Sequence, residues 1–411
     1  MSSKSSEPLT ILVAARDEEE RIGATVAALR HAFPDADVIV ADDGSRDGTA
    51  AAAADAGAVV LGLPARGKGQ ALSAAERAAP PGRLLLADAD LRGDLSPLLD
   101  SGADLAIAAF ARRGGGGFGL AKRAGRALVE LRSGYRAREP LSGQRALSAA
   151  ARRACFPLAP GFGCEVRMTI DAVRAGLSVE ERELDLEHRA TGRDVAGFTH
   201  RGRQLLEALI ATGPLRVNHR GLRLPLYGWI VALDGPALAA VAAVGLADDL
   251  WSGPERGFRA HLRARRTTGV LKLLGIPAVG LAATRSLSGA LLVGLSANVL
   301  NQLDTRPGRA LKAYLLARAA LGGRPRRADA LAVLLLPYDL REMGMLGDAG
   351  SNALGAVLGF ESVRRCTGAG RWTAIGALAT LTIVGERRSL GASIERSRVL
   401  GPLDRLGRPG L

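Results

Sequence analysis

Residues 83–90, Arg83-Leu84-Leu85-Leu86-Ala87-Asp88-Ala89-Asp90, constrain the fold more than any other stretch of the chain. Leu84 to Ala87 make an apolar run too short for a surface helix, and they read as a buried strand. Two carboxylates, Asp88 and Asp90, follow at its end. In open α/β sheets, ligands bind beyond the carboxyl ends of the strands. Paired acids there can hold a divalent cation through oxygen ligands, and the cation can carry a diphosphate. An isolated Asp-x-Asp is more often a plain acidic turn, so the segments around it decide the reading.

Those segments repeat the pattern. Leu9 to Ala14, Asp37 to Ala41, Val59 to Leu61 and Leu105 to Ala108 read as four more strands. Between them lie helix-spaced stretches: Ile22 to Leu29, an Ala-rich run after Thr49, and a helix opened by Gly67-Lys68-Gly69 that runs to about Arg77. Strand and helix in alternation imply right-handed crossovers and a parallel sheet. The loops at its carboxyl edge should then converge: Arg16-Asp17-Glu18, Asp42-Asp43, Arg66-Gly67-Lys68 and Asp88-x-Asp90. Acids after the first two strands can accept hydrogen bonds from ribose hydroxyls and a base edge. Lys68, between two glycines at a helix start, can approach a phosphate together with backbone N–H groups. Asp88 and Asp90 take the metal that bridges the diphosphate. This is a nucleotide-diphosphate site with neither a Rossmann Gly-x-Gly-x-x-Gly nor a Walker loop.

Charge agrees with an anionic ligand. Lys and Arg number 55 against 41 Asp and Glu, a net charge of +14 in 411 residues. Nucleic acid is not expected as the partner: aromatics are only 4%, too few for base-stacking platforms, and charge alone would support it. Cys155, Cys164 and Cys366 have no paired spacing, which suggests a reducing compartment and no zinc site. Met1 to Thr10 does not read as a signal peptide, so the first domain is expected in the cytoplasm.

The motif order resembles the family 2 glycosyltransferases. Their opening strand is followed by Pro-Ala-x-Asn-Glu-Glu; here Ala14-Ala15-Arg16-Asp17-Glu18-Glu19 stands in its place. Val40-Ala41-Asp42-Asp43-Gly44-Ser45-x-Asp47-Gly48-Thr49, Arg66-Gly67-Lys68-Gly69-x-Ala71-Leu72 and Asp88-Ala89-Asp90 match more closely. The resemblance covers residues 8 to about 205 and implies a glycosyltransferase A-type nucleotide-diphospho-sugar fold, α/β with a mostly parallel sheet. It implies a nucleotide-sugar donor on Ala15, Glu18, Asp42, Asp43, Ser45, Lys68 and Asp88. Mg²⁺ or Mn²⁺ on Asp88 and Asp90 would stabilise the leaving diphosphate. A sugar nucleotidyltransferase would open with a Gly-rich Leu-x-x-Gly-x-Gly-x-Arg loop, which the sequence lacks. Arg112 to Gly119 is read as a lid or a plain linker, and Glu139 to Ala146 resembles the acceptor-side loop. Glu165, near a helix start, is either a surface acid or, as in relatives, a general base beside the acceptor hydroxyl. Glu187-His188-Arg189 resembles a segment of glucosyl-phosphoglycerate-forming enzymes in which the His helps hold the metal.

A basic joint follows the first domain, which is expected to span residues 1–210; the linker covers 211–223 and a helical domain 224–411. From Leu224 onward the sequence is apolar in blocks with arginines between them. Most blocks are shorter than the ~20 residues of a straight membrane span, but their repetition favours a membrane domain in the inner membrane over a buried bundle. Their polar residues resemble, in order, the polyprenyl-phosphate phosphoglycosyl transferases, the family of the phospho-muramoyl-pentapeptide transferase. The resemblance implies paired acids at Asp248 and Asp249, polar site residues at Lys272, Asn298, Asn301 and Asp304, and a metal ligand at Asp348. Thr305-Arg306-Pro307-Gly308 replaces the family's Gly-Leu-Asp-Gly, and no His follows His261 where a His-rich loop belongs. Three functions fit: a metal-dependent membrane-bound glycosyltransferase, placed by this reading in cell-envelope glycan synthesis; a bifunctional enzyme that also moves a sugar phosphate from a UDP-sugar to polyprenyl phosphate; and a non-catalytic membrane scaffold.

Overall fold

The computed structural model describes residues 7–110, 120–186, 195–251 and 268–408. The chain divides into two compact units, 1–223 and 224–411.

The first unit alternates β1 (Leu9–Ala15), α1 (Glu19–Ala32), β2 (Asp37–Asp42), α2 (Thr49–Asp55), β3 (Val59–Gly62), α3 (Lys68–Ala78), β4 (Arg83–Asp88), α4 (Ser96–Leu99) and β5 (Leu105–Phe110). It continues with α5 (Leu120–Ser133), β6 (Arg145–Leu147), α6 (Ala149–Cys155), α7 (Cys164–Arg174), β7 (Val179–Leu184), α8 (Val195–Thr212) and the short strand β8 (Leu215–Val217); β9 (Arg223–Pro225) begins at the unit's last residue. The seven-stranded sheet has the order β3-β2-β1-β4-β6-β5-β7. All its pairings are parallel except those of β6, which lies antiparallel between β4 and β5. The expected α/β class with a mostly parallel sheet is therefore present.

The near-continuous apolar strands have a cause in this topology. Side chains alternate between the two faces of a strand, and helices cover both faces. Ile11, Val13, Val38, Val40 and Leu85 pack into one core with Ile22, Val26 and Leu29 of α1. Leu12, Ile39, Leu84 and Leu86 pack into the other with Leu72 of α3 and Met168 of α7. The register aligns Ala14 with Asp88 and Ala15 with Asp42, which brings the ends of β1, β2 and β4 to one edge.

The second unit is helical: α9 (Pro236–Trp251), α10 (Thr268–Thr284), α11 (Leu287–Leu303), α12 (Arg309–Leu321), α13 (Arg327–Leu340), α14 (Gly347–Arg365), α15 (Ala369–Arg387), α16 (Leu390–Arg396) and α17 (Leu400–Arg405). Helix α14 runs through its middle and is almost wholly buried from Gly347 to Val357. Its glycines permit that. A Cβ on Gly355 would lie 2.5 Å from Ala297 Cα, and one on Gly359 2.5 Å from Val293 Cα, so α11 crosses α14 backbone to backbone.

The expected membrane spans, and the membrane location drawn from them, are overturned: among the described residues no helix is long and apolar enough to cross a membrane. Helices α9, α10 and α11 have 16, 17 and 17 residues, about 26 Å at most for a hydrocarbon core of about 30 Å. The longer α14 and α15 carry charges, among them Asp348, Glu361, Arg371 and Glu386. Apolar residues on all sides of these helices serve packing against other helices, as in the cluster of Val241, Val293, Leu300, Leu311 and Val357.

Candidate functional site

At the carboxyl edge of the sheet the β1–α1 and β2–α2 turns are laced together. Asp42 accepts from the Ser45 amide (2.9 Å) and hydroxyl (2.5 Å), and the Ser45 hydroxyl accepts from the Asp17 amide (3.0 Å). Asp17 accepts in turn from the Arg46 amide (2.8 Å) and stands at φ +54°. Asn and Asp tolerate that left-handed region best after glycine, which explains how Asp serves where the motif has Asn. Ala15 accepts through its carbonyl from the Asp43 amide (2.9 Å). Glu18 pairs with Arg21 (2.8 Å) and donates its amide to Thr49 (2.8 Å), so its side chain belongs to the turn's own frame. The Asp43 carboxylate is buried and takes the amides of Arg66 (2.7 Å) and Gly67 (2.8 Å), which fixes the loop before α3.

That loop delivers Lys68. Its ammonium lies 2.6 Å from Asp88 and 2.7 Å from Glu165, so one lysine bridges the acid at the end of β4 and the acid at the start of α7. Burial opposes the Lys68 charge, but the two carboxylates outweigh it and hold its pKa well above the ordinary lysine value. Glu165 is buried and also accepts from the Cys164 thiol (3.1 Å); burial pushes that thiol up, out of reach of thiolate chemistry. The reading of Glu165 as a surface acid is thereby corrected, because α7 turns it inward onto Lys68. Asp90 differs from Asp88: it is half-buried and accepts no hydrogen bond among the described residues. No three or more His, Cys, Asp or Glu side chains converge on a metal position among the described residues. A cation on Asp88 and Asp90 would complete its shell with phosphate and water oxygens, the usual arrangement for Mg²⁺. His188 and the Arg112 to Gly119 loop lie outside the described residues.

Sequence reasoning missed Gln144 and Arg145. Gln144 donates to Asp88 (2.9 Å). Arg145 is fully buried, and its guanidinium bonds the carbonyls of Ser142 (2.8 Å) and Pro140 (3.2 Å) and the Thr169 hydroxyl (2.9 Å). It shapes the loop that aims Gln144. The only signal was the polar segment Glu139 to Ala146, whose last residues form β6 and could not be recognised as a strand at that length. Arg145→Leu leaves those carbonyls buried without a donor. It should cost about 3 kcal/mol or more, read as a lower urea midpoint of the chain; an unchanged midpoint would contradict the role assigned to the guanidinium.

The second unit gathers most of its predicted polar residues. Lys272 bridges Asp248 and Asp348 at 3.0 Å each. With the Asn301 amide turned so that its oxygen faces Lys272 (3.1 Å), its nitrogen donates to Asp348 (2.8 Å). Burial disfavours the Asp248 charge, yet hydrogen bonding with Asp348 and the Lys272 ammonium hold its carboxyl below the usual range. Among the described residues, Asp248 Oδ1 and Asn352 Nδ2 are buried without a hydrogen-bond partner. Asp249 instead accepts from the Asp348 and Ala349 amides (3.0 Å each), capping α14. Asn298 turns to Thr382 (3.3 Å), and Asp304 closes the end of α11.

Comparison with known proteins follows the same division. Solved structures resemble about half of the chain. A mycobacterial protein is 26% identical over 51% of this chain and 75% of its own, with a TM-score of 0.43. The glucosyl-3-phosphoglycerate synthase of Mycobacterium tuberculosis, solved with Mn²⁺, UDP and glucosyl-3-phosphoglycerate, is 26% identical over 51% of this chain and 81% of its own, with a TM-score of 0.42. No curated protein matches. The family model of Glycosyl transferase family 2 matches residues 10–135, and the chain thus carries a glycosyltransferase domain of that family in its first unit.

Proposed function

We propose that the first unit transfers a sugar from a nucleotide-diphosphate sugar to an acceptor hydroxyl. The observation that carries this is the Lys68 bridge: one ammonium joins Asp88, on the side of the β4 acids, to Glu165 at the head of α7. In this reading Asp42, Asp43 and Ser45 line the nucleoside, Lys68 and the amides beside it meet the diphosphate, and Glu165 takes the proton of the attacking hydroxyl. Mg²⁺ or Mn²⁺ held by Asp88 and Asp90 would supply electrostatic stabilisation of the departing diphosphate. Asp90, with no hydrogen-bond partner to displace among the described residues, suits that ligand role. The Lys68 contact orients Glu165 until a phosphate draws the ammonium away.

A second reading concerns the second unit. Asp248, Lys272, Asn301 and Asp348 come from three helices and a helix start to one place. This supports a phosphotransfer site that moves a sugar phosphate onto an isoprenoid phosphate. One experiment separates the two. The purified chain is incubated with Mg²⁺ or Mn²⁺ and a panel of nucleotide sugars, with and without polyprenyl phosphate, and the released nucleotide is identified. Nucleoside diphosphate is expected from the first unit. Nucleoside monophosphate that forms only with the lipid, and disappears in Asp348→Ala, is expected from the second. Release of neither nucleotide from any donor would refute both readings.

A further inference from the structure

The head of α7, which carries Glu165, is held by an acid from another helix. A tight turn, Gly161–Gly163, leads into α7. The Phe162 amide in that turn donates to Glu207 Oε2 of α8 at 2.7 Å, across 45 positions of sequence. A carboxylate makes this a charge-assisted hydrogen bond, of the stronger kind. The other oxygen, Oε1, takes the Arg203 guanidinium at 2.7 Å.

The fit around the Glu207 carboxylate leaves no slack. Gly161 stands at φ +62°, and a Cβ there would run into Glu207 Oε2. A Cβ on Gly163 would run into the Glu207 carbonyl oxygen. Helix α8 is itself strapped to α7. Arg167 of α7 donates to the Ala211 and Gly213 carbonyls at 3.1 Å each, and Ala208 packs with Val166 and Ile170. Glu207 is thus a fixed post against which the head of α7 rests.

The loop of Lys68 lies against the same turn: a Cβ on Gly67 would meet Gly161 at 3.6 Å. That loop has its own anchor, however, in the Asp43 carboxylate on the Arg66 and Gly67 amides. The two ends of the Lys68–Glu165 bridge are therefore set by different acids, the ammonium by Asp43 and the carboxylate by Glu207.

We propose that Glu207 is a positioning residue for sugar transfer, which sets the place of the Glu165 carboxylate through the Phe162 amide. The inference rests on Glu165 taking the proton of the attacking hydroxyl. The role requires length rather than charge. Gln reaches as far as Glu and still offers the amide an oxygen. Asp keeps the charge and stops one carbon short.

The test measures kcat and donor KM from nucleoside diphosphate release by the full chain with Mn²⁺ and the panel of nucleotide sugars. Rates are expressed per folded molecule, fixed by a urea titration of each preparation. Glu207→Asp should lower kcat about ten-fold or more, since a misplacement of about 1 Å can cost a hundred-fold. Its donor KM should stay within about two-fold of wild type, because Asp43 still holds the Lys68 loop. Glu207→Gln should keep kcat within about three-fold of wild type. Glu165→Gln is the control and should fall below both. Suppose Glu165→Gln is slow. Then wild-type kcat in Glu207→Asp, or a Glu207→Gln slower than Glu207→Asp, overturns the role of Glu207 alone. So does a loss in Glu207→Asp that vanishes per folded molecule or lies in donor KM. Glu165→Gln as fast as wild type, or no release by wild type from any donor, removes the reading of Glu165 and this inference with it.

Discussion

Asp90→Ala should lower sugar transfer by about a hundred- to a thousand-fold while leaving the unfolding midpoint of the chain where it was. The two halves of that expectation rest on one contrast. Asp88 is woven into the structure through Lys68 (2.6 Å) and Gln144 (2.9 Å). Removing it would release a lysine from half of its counter-charge and disturb folding and chemistry together. Asp90 has no such partners among the described residues, so truncating it deletes a carboxylate the fold does not use; surface changes of that kind cost within about 0.5 kcal/mol. The measurement is an initial rate of nucleoside diphosphate release at saturating Mn²⁺, paired with a urea titration of the same preparation. A rate within ten-fold of wild type would remove Asp90 from the site. A rate that falls only in proportion to lost folded protein would make it structural.

What the sequence disclosed, and what it hid, follows from how far each contact reaches along the chain. The strands ending at Ala15, Asp42 and Asp88 were readable because each is a local apolar run closed by local acids, and parallel pairing brings such ends to one edge without further instruction. The Lys68–Glu165 contact spans 97 positions, the difference of the two residue numbers, and depends on how α7 packs under the sheet; nothing beside Glu165 announces it. Strand β6 is three residues at the tail of a polar loop, stabilised by partners on both sides rather than by its own sequence. In the second unit the argument from repeated apolar blocks failed for a physical reason. A helix buried among other helices is apolar around its whole circumference, and so is a helix in lipid. Length and the glycine-lined crossing of α11 with α14 separate the two, and only the first can be read from a sequence. The polar residues proved a better guide than the apolar ones. Asp248, Lys272, Asn301 and Asp348 meet, whereas Asp249 next door is spent on the α14 amides, a division that adjacent acids in a sequence cannot reveal.

Lys272→Met should destabilise the second unit by about 3–5 kcal/mol near pH 8 and invert its response to pH. Methionine keeps most of the side chain's bulk, so the change isolates the ammonium. In the wild type, Asp248 titrates below its ordinary 3.8. Its contribution to stability is therefore present above that value and is lost as pH falls through the lower folded value. Lys272 titrates above 10.5, because Asp348 and Asp248 outweigh the burial that opposes its charge. Its contribution is present below 10.5 and lost only as pH rises through the higher folded value. Between these limits the pair holds stability level. Without the ammonium, two buried carboxylates face each other and each is pushed above the unfolded value instead. The unfolded chain then releases those protons first, and stability falls as pH climbs from about 4 toward neutrality. All three tryptophans, Trp229, Trp251 and Trp372, lie in the second unit, so their fluorescence in urea follows this unit without interference from the first. The variant should lose much more of its urea midpoint at pH 8 than at pH 5. Equal losses at both pH values would mean that Lys272 acts through packing alone, and that the Asp248–Asp348 pair does not depend on its charge.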